Sequence, residues 1–232
     1  MNPLYEAALQ RLEQYRVSNC LSQADMGKLM GVTQSHYSKL KQGKKVISGA
    51  SLVSLSKQNI DIDYFITGEE TYETELNWYV NEYSEYTSEL LPMLAWAVNR
   101  GISMMDKSGE WSRVDYQKEI DLFHLKEWSS QAQERVWYGI RQVNHLTQVE
   151  MSEALNINIK KYREIEKIGR IPDAEVLSNL YDKTGIVPSF LFSEKLNNLN
   201  VLNQTWIKFT PKVKKRLLRL LDVAVELFNK DE

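Results

Sequence analysis

Residues 21–47 read LSQADMGKLMGVTQSHYSKLKQGKKVI, and their pattern decides how the rest of the chain is read. Ser22 is a good N-cap, because its hydroxyl can accept from first-turn amides. Met26, Leu29 and Met30 follow at helical spacing. Gly31 stands just past them, where a helix end wants a left-handed residue. Val32 plugs the turn, and Thr33 caps a second helix. Tyr37 and Leu40 form the inner face of that helix; Gln34, Ser35, Ser38 and Lys41 form a polar outer face. Gly43, Lys44 and Lys45 end it. A short helix, a turn with glycine and a second helix with a polar outer face is a helix-turn-helix pattern.

Working outward, Leu4 to Val17 predicts an amphipathic helix with Leu4, Ala8, Leu12 and Tyr15 on one side. Ser48 to Lys57 carries Leu52 and Leu55, and Asp61 caps a last short helix, Ile62 to Ile66, that stops at Gly68. Five helices are therefore expected in residues 1–68. Over Pro3 to Gly68 the chain resembles the lambda-repressor-like helix-turn-helix family, the Cro, phage-repressor and xenobiotic-response-element type. Leu21-Ser22-Gln23, Leu29 to Ser35 and the Gly43-Lys44-Lys45 loop carry the likeness. The resemblance implies that Gln23 clamps a phosphate and that Gln34, Ser35 and Ser38 face base edges in the major groove. Ser22, Thr33, Tyr37, Lys41, Lys44 and Lys45 complete the expected DNA-contacting set. A polar helix face is by itself usually only solvated; the capped turn and flanking lysines favour DNA here.

The 232 residues suffice for one large or two small domains, and 43% hydrophobic residues can support real cores. No apolar run approaches the ~20 residues of a membrane span. The N-terminus lacks an apolar signal segment, so a cytoplasmic protein is expected. Cys20 is the only cysteine, which excludes an internal disulfide and reads as a small buried or half-buried thiol rather than a catalytic one. The net charge of −2 looks wrong for a DNA binder, but it is unevenly spread. Residues 1–68 carry +3, residues 69–134 carry −9, residues 135–192 carry +1 and residues 193–232 carry +3. Steering depends on the local field rather than the total.

Residues 69–128 read as an acidic, aromatic, mostly helical connector. Thr71 to Arg100 predicts a long helix, bent at Pro92, that carries Tyr72, Trp78, Tyr79, Tyr83, Tyr86 and Trp96. These aromatics read as core or interface rather than as a small-molecule effector site. Asp106-Lys107-Ser108-Gly109 is a hairpin-type turn signal and predicts a small two-stranded hairpin within residues 101–114. Asp115 to Trp128 reads as helix, with Ile120, Leu122 and Phe123 as its apolar contacts.

From Ser129 the opening pattern returns at an offset of 125 residues. Leu146-Thr147-Gln148 repeats Leu21-Ser22-Gln23. Leu155, Ile157, Asn158, Tyr162 and Ile165 repeat Met30, Val32, Thr33, Tyr37 and Leu40. Leu177 and Leu180 repeat Leu52 and Leu55, and Leu191 matches Phe65 after one insertion. Such a repeat predicts a second helix-turn-helix domain over residues 129–195. Ile159 replaces Gln34, so a glutamine that can bond an adenine edge twice becomes a side chain that can only touch a thymine methyl. Asn156 stands at the turn glycine's place, which asparagine tolerates. Gln148, Asn158, Lys160, Lys161, Arg163, Lys167 and Arg170 are its candidate DNA contacts. The segment reads as a second DNA-binding unit with different preferences; the competing reading is a copy kept for structure and partner contact.

Residues 196–232 end in a helix, Thr210 to Lys230, capped by Thr210 with Pro211 at its first position. Leu217, Leu220, Leu221, Ala224, Leu227 and Phe228 lie along one apolar stripe. Such a helix either docks on its own domain or pairs with a second chain, and a homodimer through this stripe is the expectation taken here. The three histidines sit at no metal-ligand spacing, no phosphate-binding glycine loop occurs, and no cofactor or enzymatic activity is expected. The sequence therefore predicts an all-α chain of two five-helix domains, a connector and a terminal helix. It reads as a sequence-specific transcriptional repressor on double-stranded DNA. The rival is a protein-interaction module that turns the same fold toward a partner protein, such as an antitoxin or anti-defence protein.

Overall fold

The computed structural model describes residues 2–109, 113–126 and 136–228. Among them every regular element is helical. The first five are α1 (Pro3–Ser18), α2 (Gln23–Leu29), α3 (Gln34–Lys41), α4 (Gly49–Ser56) and α5 (Ile62–Thr67). Then come α6 (Glu75–Glu82), a 3-10 turn (Ser84–Tyr86), α7 (Thr87–Ser108) and α8 (Arg113–Leu125). The later part holds α9 (Val136–Val143), α10 (Gln148–Ala154), α11 (Ile159–Ile168) and α12 (Ala174–Thr184). A 3-10 turn (Pro188–Leu191), α13 (Lys195–Trp206) and α14 (Pro211–Val225) follow.

The chain forms two compact units. The first gathers Met1–Thr71 with Ala132–Asn197; the second gathers Tyr72–Gln131 with Asn198–Glu232. Trp128 and the start of the expected second domain, 129–135, lie outside the described residues.

In the first unit, α1 buries Tyr5, Ala8 and Leu12 and packs on α3 and α5, and Met26, Met30, Tyr37, Leu40, Leu52 and Leu55 are buried in the same unit. Arg11 closes the end of α5 by donating to the carbonyls of Phe65 (2.9 Å) and Ile66 (2.7 Å), a cationic partner for orphan carbonyls. The later segment has its own buried set, Trp137, Ile140, Met151, Leu155, Tyr162, Ile165, Leu177 and Leu180. Polar ties join the two segments. The Ala174 amide donates to the Ile47 carbonyl (2.9 Å), and the Ser189 amide donates to Asp63 Oδ1 (2.6 Å). Asn2 Nδ2 donates to Asn179 Oδ1 (2.6 Å), and Asn197 Nδ2 donates to Ser56 Oγ (2.6 Å). At Gly49, the first residue of α4, the carbonyls of Ile171 and Pro172 come too close for any side chain: a Cβ there would lie 1.9 Å from the Ile171 oxygen.

The second unit is built on α7. Leu94, Val98, Ile102 and Met105 of α7 are buried with Leu76, Tyr79 and Val80 of α6 and with Phe123 of α8. Leu202 and Trp206 of α13 and Val213, Leu217, Leu221 and Val225 of α14 complete this core. Trp206 Nε1 donates to Glu75 (2.7 Å), and the Tyr79 hydroxyl donates to Asp222 (2.6 Å).

Three expectations are corrected here. The hairpin near residue 106 does not form: α7 runs helically to Ser108, and Gly109 ends it with φ 69°. The single long helix from Thr71 is two helices, broken at Tyr83 to Tyr86, and α7 continues through Pro92. The stripe assigned to a second chain is divided: Leu217 and Leu221 are buried against α7 in their own unit, whereas Leu220 and Leu227 stay exposed, and Ala224 and Phe228 are half-buried. Phe228 stacks on Tyr86 with ring centroids 5.0 Å apart. Thr210 holds the cap position of α14 without a side-chain bond to it, and Pro211 takes the first turn as expected.

Candidate nucleic-acid interface

The geometry of α2 and α3 follows from their caps. Ser22 accepts from the Asp25 amide (3.1 Å), and Asp25 accepts in return from the Ser22 amide (3.0 Å). This reciprocal capping box satisfies two orphan donors at once. Thr33 caps α3 by accepting from the His36 amide (3.2 Å). Gly31 supplies the left-handed residue of the turn, with φ 68°. The Val32 amide then donates back to the Gly27 carbonyl at 2.8 Å, which locks the angle between the helices.

That angle brings Gln23 of α2 beside Gln34, Ser35 and Ser38 of α3 and Lys44 of the following loop. They line one shallow, open concavity of about 460 Å³, with Lys39 and Gln42 completing it. Every lining side chain is polar or cationic. Gln34, Ser35, Lys44 and Lys45 are exposed. The amides of Gln23 and Gln34 and the ammonium of Lys44 make no hydrogen bond to the described chain, so their donors stay available. Lys39 and Gln42 were missed from sequence, although they lie four residues beyond Ser35 and Ser38 on the same face.

Residues 12–58 match a helix-turn-helix family model. The matched model is of the lambda-repressor-like type, a family of DNA-binding transcription regulators that is typically non-enzymatic. Its span contains α2, α3, their turn and all seven residues of the concavity. No curated protein and no solved structure matches the chain. Among the described residues no helix is long and apolar enough to cross a membrane.

Two members of the expected contact set point elsewhere. Tyr37 is fully buried, and its hydroxyl donates to Glu13 Oε2 (3.0 Å). Burial first, and then the adjacent Glu13 carboxylate, push its pKa up. It is a core residue that orients α3, not a reader. Lys41 Nζ is engaged by Glu13 Oε1 (2.7 Å), which also accepts from Arg16 (2.7 Å).

Glu13 thus ties α1 to α3, a role that no local pattern marks. Its hydrogen bond from Arg16, followed by those from Lys41 and Tyr37, lowers its pKa from 4.5 to about 2. A carboxylate with a depressed folded-state pKa contributes stability above its unfolded value, and that contribution is lost as pH falls through the folded one. The protein should therefore lose stability between pH 4.5 and about 2. The loss is at most about 3 kcal/mol, and less because a quarter of the side chain stays in water. Glu13→Gln should flatten this part of the acid limb in urea melts taken at successive pH values. Superimposable limbs for wild type and variant would remove Glu13 from the account.

In the later segment, Thr147 and Glu150 form the same capping box that Ser22 and Asp25 form. Asn158 caps α11 by accepting from the Lys161 amide (2.8 Å). Asn156 takes φ 54° where Gly31 takes 68°. The Ile157 amide donates to the Ser152 carbonyl at 3.0 Å, the counterpart of the Val32 to Gly27 bond. Lys160, Lys167 and Arg170 are exposed. Lys161 is paired with Asp173 (2.9 Å). Gln148, at the place of Gln23, is held from both ends: its Nε2 donates to Glu166, and its Oε1 accepts from Arg163 Nε (3.2 Å).

Proposed function

We propose that the chain is a sequence-specific DNA-binding repressor that acts in the cytoplasm by occupying its site on double-stranded DNA. Occlusion of that kind needs only a reader and a folded body. The observation that carries the reading is the concavity on α3, where unpartnered Gln23, Gln34 and Lys44 converge with Ser35 and Ser38. Phosphate contacts fix register and base-edge contacts supply sequence. Gln23 and Lys44, which line the concavity, and the exposed Lys45 suit the first task; Gln34, Ser35 and Ser38 suit the second. A glutamine at Gln34 can bond an adenine edge twice.

We further propose two helix-turn-helix units, 1–68 and 129–195. The recurring capping box, asparagine or threonine cap and turn bond support this. One chain then carries both units in a single compact body, and no second chain is needed to bring them together.

The test is selection of bound duplexes from a random library, followed by binding to the selected site. Gln34→Ala should weaken that site by about 1–3 kcal/mol and relax preference at one base pair. Gln23→Ala and Lys44→Ala should weaken all duplexes alike, and Lys44→Ala should reduce the salt slope by about one. An unchanged preference for Gln34→Ala would remove that residue from the readers. Binding without any salt slope would point to the rival reading, a surface for a partner protein.

A further inference from the structure

In the first helix-turn-helix segment the acid that organises the interior sits on α1: Glu13 holds Arg16, Tyr37 and Lys41. At the offset of 125, Arg16 and Tyr37 recur as Arg141 and Tyr162, but the acid has changed helix. Tyr138 stands at the place of Glu13, and Glu166 stands at the place of Lys41. The carboxylate has thus moved onto α11, the counterpart of the reading helix.

Its position is fixed. Arg141 Nε donates to Glu166 Oε1 at 2.8 Å, with only about a tenth of either side chain exposed. The Arg141 guanidinium also lies over the Tyr138 ring, 5.1 Å from its centroid. The second Glu166 oxygen accepts from Gln148 Nε2. Arg163, at the place of Ser38, donates to the other end of the same amide. Gln148 therefore has its donor on a carboxylate and its acceptor on a guanidinium, whereas its counterpart Gln23 makes no side-chain hydrogen bond among the described residues.

A phosphate that approached Gln148 would meet an anion already occupying the amide. Glu166 cannot swing aside without leaving Arg141 buried and unpaired, which is strongly disfavoured. Ile159, at the place of Gln34, offers no hydrogen bond to a base. We propose that Glu166 is the specificity-determining residue that holds the second helix-turn-helix unit off DNA, so that the chain recognises an asymmetric site through its first unit alone. The proposal rests on the DNA-binding reading above.

The test restores the arrangement of the first unit. Tyr138→Glu with Glu166→Lys returns the acid to the earlier helix, keeps a carboxylate for Arg141 and frees Gln148. Glu164→Gln on the same helix adds one unit of positive charge, as the double variant does, without touching Gln148. The full chain is presented with duplexes that fix the wild-type selected site and randomise both flanks. Wild type should select nothing in the flanks, and Gln148→Ala should bind as wild type does. The double variant should bind at least tenfold more tightly, with a steeper salt slope and a new preference on one flank only. Glu164→Gln should tighten binding slightly and select no flank.

An unchanged site for a double variant that keeps wild-type helicity would overturn the role of Glu166. So would a wild-type chain that already selects one flank and loses it in Gln148→Ala. Absence of any selected core site in wild type is a different failure, since it would overturn the DNA-binding reading and this proposal with it.

Discussion

Gly49→Val is expected to unfold the first unit or cost it several kcal/mol, although the substitution adds only apolar atoms at the start of a helix. The reason is backbone against backbone. A Cβ on Gly49 would lie 1.9 Å from the Ile171 carbonyl oxygen, 2.7 Å from its carbon and 2.8 Å from the Pro172 oxygen. Flexible side chains can yield to such a clash, but carbonyls held in a packed loop cannot. Overpacking a well-filled interior typically costs about 1–3 kcal/mol, and a clash with rigid backbone belongs at or above the top of that range. The same approach is stitched by the Ala174 amide on the Ile47 carbonyl (2.9 Å), so separating the segments also strands a buried hydrogen bond. Ala50, the next residue, is exposed and lines the open cleft beside the contact, so Ala50→Val adds the same kind of side chain where there is room for it. Urea denaturation should show a large drop in midpoint for Gly49→Val and almost none for Ala50→Val. Equal midpoints for both variants would mean that residues 47–49 and 171–174 do not pack in solution as described.

Helices α2 and α3 were legible because their caps and turn are local. Ser22, Gly31 and Thr33 act within four residues of where they stand, and the 3.6-residue period alone places Gln34, Ser35 and Ser38 on the face opposite Tyr37 and Leu40. The capping partner Asp25 was equally local, three residues after Ser22, and could have been named from that spacing. What sequence did not carry was choice among partners. Tyr37 shares α3 with Gln34, Ser35 and Ser38, but only its packing shows that its hydroxyl serves Glu13. Gln148 resembles Gln23 in every local respect; its difference comes from Glu166, 18 residues away. The turn signal Asp106 to Gly109 misled because two structures use the same residues. Val98, Ile102 and Met105 keep helical spacing past Gly101, so burial favours continuing α7, and Gly109 serves as a left-handed helix end rather than as a hairpin residue.

Leu217→Asp with Leu221→Asp should abolish the cooperative fold of the second unit rather than merely change its assembly. An amphipathic terminal helix has the same sequence pattern whether it meets its own domain or a second chain. Here the inner stripe is spent: Val213, Leu217, Leu221 and Val225 are all at most 5% exposed and share a core with Leu94, Val98, Ile102 and Trp206. Each aspartate would place a carboxylate among these apolar side chains, and a buried unpaired charge is heavily disfavoured. Each change also removes a buried leucine, worth about 2–5 kcal/mol in comparable truncations. Two such losses, together about 4–10 kcal/mol, are comparable to the roughly 5–15 kcal/mol that stabilises a typical domain. Tyr79 would lose its anchor as well, since its hydroxyl reaches Asp222 on the same helix (2.6 Å). Trp206, fully buried with its indole donating to Glu75, is the natural reporter. Its emission should shift to the red, and helicity should fall by the contribution of α6, α7, α8, α13 and α14. Leu220→Asp, on the exposed side of α14, with Leu227→Asp, exposed just past its end, should leave both signals unchanged. Sedimentation separates the alternatives. If the inner pair instead halved the molar mass while Trp206 emission and helicity stayed at wild-type values, the stripe would be a seam between two chains after all.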